Sequence, residues 1–257
     1  MNDHETKTMN DHVRTALEGG VLEITFSRPE KKNALTNPMY RVAREALERA
    51  QHDDEVRVVL FSSDGDAFTA GNDMGTFARA SAGQAEEPQA GRFIEALAKA
   101  EKPLIAAVPG IAIGVGTTML LHCDLVYVAE TARLSMPFVN LALVPEAASS
   151  LLLPSRIGHV RAFGLFALGE SVTGTQAVAL GLANQALPQA EVIGAARAAA
   201  RVLAQKPTGS VVATKKLMRD TDALLARIQQ EGTLFGQRLK SPEAREAFAA
   251  FAERRAP

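Results

Sequence analysis

Three observations predict a layered α/β fold for this chain. Near the start, VLEITF (residues 21–26) alternates apolar and polar side chains, a helical pattern follows Pro38, and VRVVLF (56–61) is a second apolar run. Strand, helix, strand at that spacing builds layered α/β structure. Midway, LIAAV (104–108) reads as a buried strand beside Pro109–Gly110, and Gly114-Val115-Gly116 then leads into an apolar stretch long enough for two helical turns. From His159 onward the chain is patterned as one helix after another.

Residues 1–15 are polar and read as a frayed end, with a flexible tail expected over residues 1–19. Residues 28–35 (RPEKKNAL) form a charged loop after the first strand. Pro38 suits a first helical turn, and Met39, Val42, Ala43, Ala46, Leu47 and Ala50 recur on one helical face. SSDGDAFTAGNDMGT (62–76) is a loop of small, flexible and acidic residues, and a helix is expected near 92–100. An extended piece is expected from 125 to 134, then an apolar segment over 141–153 that contains one carboxylate, Glu146. Helical patterns follow at 160–168, 174–180, 191–205, 208–219, 222–239 and 242–254. No linker marks an independent domain, so a core over 20–195 is expected to pass directly into a helical region over 196–257.

A chain of 257 residues can bury a sizeable core, and 47% hydrophobic with 22% charged residues is an ordinary soluble balance. The net charge of −1 offers no basic field for nucleic acid or an anionic membrane. A single cysteine, Cys123, excludes an internal disulfide framework. The polar N-terminal stretch lacks the apolar centre of a secretory signal, and no apolar run approaches membrane-spanning length, so a cytoplasmic protein is expected.

Glycines at the 114–116 junction let backbone approach a ligand closely, and the first N–H groups of a helix carry partial positive charge without an intrahelical acceptor. Such a place can hold a developing anion, although a packed glycine turn would look the same. The remaining candidates read as structural. Asp64, Asp66 and Asp73 suit turns, Asp124 a structural carboxylate, His122 and Cys123 packing, and Lys215–Lys216 a solvated helix face. No His/Cys/Asp cluster has metal-ligand spacing.

An ordered set of segments resembles the crotonase (enoyl-CoA hydratase/isomerase) superfamily. They are RPEKKNAL (28–35), AFTAGNDM (67–74), KPLIAAVPGIAIGVG (102–116), CDLVYVAE (123–130), SMPFVNLALVPEAASSLLLP (135–154), GLANQALP (181–188) and the terminal EAFAAFAERRAP. The resemblance covers nearly everything after residue 20. It implies a spiral of ββα units, a helical trimerisation region at the C-terminus, a homotrimer or a dimer of trimers, and acyl-CoA thioesters as substrates, with coenzyme A entering only as part of the substrate and no metal or other cofactor. It also implies an oxyanion hole from the backbone N–H groups of Asn72 and Val115. Preoriented donors of that kind stabilise an enolate at the thioester oxygen. Valine at 115, where glycine is common in the family, keeps the amide donor but adds bulk.

The departures from the family pattern are informative. Enoyl-CoA hydratases resemble this chain but use two glutamates to activate water, and the aligned positions here are Thr118 and Phe138. Glu146 instead stands where the resemblance to peroxisomal-type Δ3,Δ2-enoyl-CoA isomerases puts their catalytic glutamate. One carboxylate suffices for a 1,3-proton shuttle, and the apolar Leu143, Val144 and Pro145 beside it would raise its proton affinity. A glutamate at a helix start with no further role is the plain alternative. Arg28, Lys31 and Ala34 lie in the loop that resembles the family's CoA contact region, and Ala70 is expected near the adenine through its backbone. Met74, Phe77, Phe138 and Leu141 are expected to wall the acyl pocket, and Phe251 and Arg254 lie where a neighbouring subunit's terminal helix contributes in the family. The rival readings are a diverged hydratase, an aryl-CoA dehalogenase-like enzyme, disfavoured by the absence of tryptophan, and a CoA-binding protein without turnover.

Overall fold

The computed structural model describes residues 12–75 and 88–253. Its first hairpin corrects the expected tail. Strand β1 (Val13–Glu18) pairs antiparallel with β2 (Val21–Phe26) around Gly19–Gly20. Those two glycines have φ of 57° and 81°, the left-handed pair that a two-residue hairpin turn requires. Val13 is buried whereas most of β1 is exposed, so its polar composition hid an edge strand.

After the 3-10 turn Pro29–Lys31 come helix α1 (Asn37–His52), capped by Thr36, then β3 (Val58–Ser63), β4 (Ala67–Thr69) and α2 (Gln89–Lys99). Next follow β5 (Leu104–Val108), β6 (Ile111–Ile113), the one-turn helix α3 (Val115–Thr118), β7 (Leu125–Ala129) and β8 (Arg133–Ser135). Strands β3, β5 and β7 join the β1–β2 hairpin and a last strand, β10 (Gln185–Leu187), in a six-stranded sheet ordered β1-β2-β3-β5-β7-β10, and each of the three is followed in the chain by a strand of a four-stranded sheet, β4-β6-β8-β9, completed by β9 (Ser171–Thr173). From β2 onward the larger sheet is parallel, so successive turns of the chain stack side by side. Strands β3 and β5 are buried on both faces, which explains why they read as continuous apolar runs rather than alternation.

The C-terminal half contains α4 (Ser149–Ile157), α5 (His159–Ala167), β9 (Ser171–Thr173), α6 (Gly174–Ala179), β10 (Gln185–Leu187), α7 (Gln189–Ala204), α8 (Thr208–Met218), α9 (Thr221–Leu239) and α10 (Pro242–Glu253). Helix α7 packs across β3, β5 and β7 as one rod, so the boundary expected at residue 195 falls inside it. Aromatic contacts knit the core beneath the site: Phe26 to Phe61 and Phe68, Phe61 to Phe93, and Phe93 to Tyr40, with centroids 5.7–6.4 Å apart. Among the described residues no helix is long and apolar enough to cross a membrane.

Candidate active site

The loop after β2 is welded to the strand ends that carry the site. Asn33 is fully buried with φ 54°. Its side-chain amide donates to the carbonyls of Asp64 and Ala67, its Oδ1 accepts from Arg28 N–H, and its own carbonyl accepts from the Thr69 hydroxyl. Leu35 N–H donates to the Gly71 carbonyl at 2.8 Å, and Asp73 N–H donates back to the Leu35 carbonyl at 2.9 Å. Asn72, between those two bonds, is left with its N–H pointing to the opposite side, and no backbone acceptor for it occurs among the described residues.

Gly71 has φ 84°, and a Cβ there would lie 2.6 Å from the Ile113 carbonyl oxygen. The two chain segments therefore touch at Gly71 and Ile113, where only glycine fits. Gly114 then turns the backbone with φ 58° and ψ −120°, and Val115 N–H opens α3 with no intrahelical acceptor. Gly116 lies equally close to Thr69, where a Cβ would meet the methyl at 2.5 Å. Two amides without a backbone acceptor among the described residues, on Asn72 and Val115, thus flank one backbone contact. Val115 is fully buried and its side chain belongs to the hydrophobic core.

Glu146 approaches from the segment between β8 and α4. Its Oε1 is sealed from solvent and has no hydrogen-bond partner. Burial first, and the charge of Glu231 second, push its carboxyl from 4.5 up to about 7. The next two residues, Ala147 and Ala148, are both left-handed at φ 63° and 53°, a conformation costing a side chain about 1–2 kcal/mol each. That turn is held from two sides. His122 Nε2–H donates to the Ala147 carbonyl at 2.8 Å, and Glu231 on α9 accepts from the N–H groups of Ala148 and Ser150 at 2.7 and 2.9 Å. His122 is kept neutral, with its pKa lowered to about 3 by burial and by Arg219, whose Nη2 lies 3.0 Å from Nδ1. That neighbour assigns the proton to Nε2.

Tyr40 closes the arrangement from α1. Its hydroxyl donates to Asn72 Oδ1 at 2.5 Å, and burial followed by the charge of Glu146 raises its proton affinity well above the ordinary value, so it stays a neutral donor. Tyr40 therefore links Asn72 to Glu146, and the Gly71–Ile113 contact brings the Val115 segment against Asn72. Thr118 is fully buried and bonded to its own helix turn, and Phe138 packs on Phe166, so neither position carries an acid–base group.

The family model described as enoyl-CoA hydratase/isomerase matches residues 16–257. The chain belongs to the crotonase family. It is 34% identical over 245 residues to enoyl-CoA delta isomerase 2 of Rattus norvegicus, covering 93% of this chain but only 62% of that protein's length. It is 31% identical over 257 residues to 1,2-epoxyphenylacetyl-CoA isomerase of Escherichia coli K12, covering 97% of this chain and 98% of that one. The solved structure of Pseudomonas aeruginosa OdaA superposes with a TM-score of 0.90 at 48% identity, over 94% of this chain and 99% of that one. The two interlocked sheets with a helical C-terminal region are thus the crotonase fold, as the sequence motifs implied.

Within that family fold, the loop expected to contact CoA is adjacent to the site. Arg28, Lys31 and Ala34 run alongside Ala70, whose N–H donates to the Lys32 carbonyl at 2.9 Å. Arg28 also has a local task, since its Nη1 donates to the Ala34 carbonyl and to Asp73 Oδ2 at 3.0 and 2.9 Å. Lys31 is exposed, Ala34, Ala70, Met74 and Leu141 are half-buried, and Phe138 is buried. Phe77, the side chain of Phe251, and Arg254 lie outside the described residues.

One structural expectation needs correction. Lys215 is buried rather than solvated, and donates to Asp124 Oδ2 at 2.7 Å and to the Lys102 carbonyl at 3.0 Å. His122 packs as expected but also braces the Glu146 turn. Sequence reasoning missed Tyr40, Glu231 and Arg219 altogether. Tyr40 is absent from the apolar face expected for α1, and Glu231 falls without distinction inside the helical pattern over 222–239. Only a buried register, with Glu231 seven residues after buried Leu224, could have singled out Glu231.

Proposed function

We propose that this acyl-CoA enzyme is a Δ3,Δ2-enoyl-CoA isomerase that works by a single-carboxylate proton shuttle. The observation that carries the reading is Glu146: a carboxylate with one sealed, unpartnered oxygen and a pKa near 7, in a site without acid–base groups at positions 118 and 138. A base poised near the working pH can take a proton and return it. The ionised carboxylate removes a C2 proton from a 3-enoyl thioester. The C2–H electron pair forms a C1–C2 double bond while the thioester carbonyl electrons move to oxygen. The Asn72 and Val115 N–H groups stabilise the resulting dienolate oxygen. The oxygen electrons then re-form the carbonyl, C2=C3 forms, and the C3=C4 pair takes the proton from Glu146 at C4. The carboxylate is regenerated and no redox partner, metal or cofactor beyond the substrate's own CoA is needed.

In the same reading Arg28, Lys31, Ala34 and Ala70 bind the CoA portion, and Met74, Phe138 and Leu141 bound the acyl chain. A homotrimer or hexamer is the proposed assembly, consistent with the exposed apolar side chains of Val160, Phe163 and Leu168, 61–84% accessible. A cytoplasmic location is proposed with it.

Incubation of wild type and Glu146→Gln with a 3-enoyl-CoA in deuterated water tests the reading. It requires conversion to the 2-enoyl thioester with deuterium exchange, reduced roughly 10²–10⁴-fold in the variant. Hydration of a 2-enoyl-CoA by wild type points instead to a diverged hydratase, and tight CoA binding without either reaction to a binding protein.

A further inference from the structure

We propose that Glu231 is a positioning residue for Glu146: from the middle of α9 it pins the left-handed turn that aims Glu146 and holds a second negative charge beside it. The inference rests on the reading of Glu146 as the base. Glu231 is 5% exposed and sits one heptad beyond buried Leu224, on the helix stripe that faces inward. A buried carboxylate is costly unless its oxygens are hydrogen-bonded. Here each oxygen takes one amide, Oε2 from Ala148 and Oε1 from Ser150. Arg227, on the same helix, turns its guanidinium to the Ser150 hydroxyl at 3.2 Å instead of pairing end-on with Glu231.

The two amides belong to the second and fourth residues after Glu146. Ala148 is the N-cap of α4 and has no capping side chain of its own, so Glu231 supplies that cap from 83 positions away in sequence. With His122 gripping the Ala147 carbonyl from the opposite side, the turn cannot relax without breaking a buried bond. Among the described residues, the titratable and charged groups facing this pair and its turn are Tyr40 from α1, Arg227 from α9 and the neutral His122 from the turn before β7, while α4 contributes the Ser150 hydroxyl. A cap that only stabilised α4 would affect melting and leave the proton affinity of Glu146 alone. A positioning role affects both the direction and the charge state of the base.

Glu231→Gln and Glu231→Asp in the full chain separate these roles. The readouts are 3-enoyl-CoA kinetics against pH and a ¹³C NMR titration of the Glu146 side-chain carboxyl. Gln removes the charge and aims an amide at one of the two N–H donors. The expected result is a kcat lower by roughly 10–100-fold with KM within about threefold, and a Glu146 titration displaced downward by about half a pH unit or more. Asp keeps the charge but shortens the reach, so kcat should fall while the titration stays at its wild-type pH. A Gln variant with an unmoved titration, or an Asp variant with wild-type kcat, overturns the proposal even if melting drops. The failure of the isomerase reading is a separate outcome: wild type would then leave the 3-enoyl-CoA unconverted, or Glu146→Gln would retain full turnover, whereas the NMR titration reports on Glu231 without any turnover.

Discussion

The Tyr40 hydroxyl donates a 2.5 Å hydrogen bond to Asn72 Oδ1, tying helix α1 to the residue whose N–H faces the site. The same ring packs on Phe93 with centroids 5.7 Å apart, so the phenol is anchored at its apolar face and at its polar tip. Asn72 is followed by the Asp73 bond to Leu35 and preceded by the tight Gly71 contact. The side-chain bond to Tyr40 is therefore the remaining restraint on how that residue is turned.

Tyr40→Phe keeps the ring packing and removes only this restraint. Unfolding by urea should show a loss of about 1 kcal/mol, the typical worth of one such hydrogen bond. Turnover of a 3-enoyl-CoA should fall about tenfold while the affinity for free CoA is unchanged, because the defect lies at the reacting end. Wild-type kinetics for this variant would show that Asn72 is held by backbone alone.

Glu146 makes a pH-dependent contribution to stability whose sign can be worked out. Its folded pKa of about 7 lies above the ordinary carboxyl value of 4.5, so the folded state binds the proton more tightly than the unfolded state. Stability from this group is fully present below pH 4.5 and is lost as pH rises through 7. Glu146→Gln, which mimics the protonated form, should therefore be more stable than wild type at pH 8 by about 1–3 kcal/mol and equal to it near pH 4. Thermal melts of both proteins across that range check the expectation. On the same grounds the wild-type rate should rise with pH up to about 7 as the base ionises.

His122 runs the other way. Its pKa of about 3 is far below the ordinary 6.5, so its contribution is intact above pH 6.5 and is lost as pH falls towards 3. Chemical unfolding should show this loss in wild type and a flatter profile in His122→Gln, whose amide can still donate to the Ala147 carbonyl. An equal slope in both proteins would place the acid sensitivity elsewhere.

Gly71→Ala tests the backbone contact under the site. The added Cβ would lie 2.6 Å from the Ile113 carbonyl in a backbone conformation of φ 84°, so strand β6 must move or the turn must open. A destabilisation of roughly 2 kcal/mol or more is expected, with activity lost beyond what the remaining folded fraction explains. Gly181→Ala is the control for φ alone, since its φ is 75° with nothing within 4 Å of the new Cβ.

The strands and helices were legible where burial is one-sided or complete: the alternation in β2, the apolar runs of β3 and β5, and the helix face of α1. Strand β1 was not, because an exposed edge strand needs no apolar pattern and is held by its ladder to β2. The Gly19–Gly20 pair was the signal that could have revealed it. Lys215 was misread for a related reason. Its partner Asp124 lies 91 residues away, and a lysine that will be buried against a carboxylate has the same local sequence as one that will be solvated.

By itself the sequence determined the α/β layering, the family, the glycine junction at 114–116, and the one carboxylate left in an apolar segment. These are properties of single residues and short periodicities, set by backbone sterics and by hydrophobic pattern. The tertiary structure alone decided what surrounds that carboxylate. Tyr40, His122 and Glu231 come from α1, the turn before β7 and α9, and nothing local marks them. Burial and a neighbouring charge set the proton affinity of Glu146, and both exist only once chain segments more than 80 residues apart have packed together.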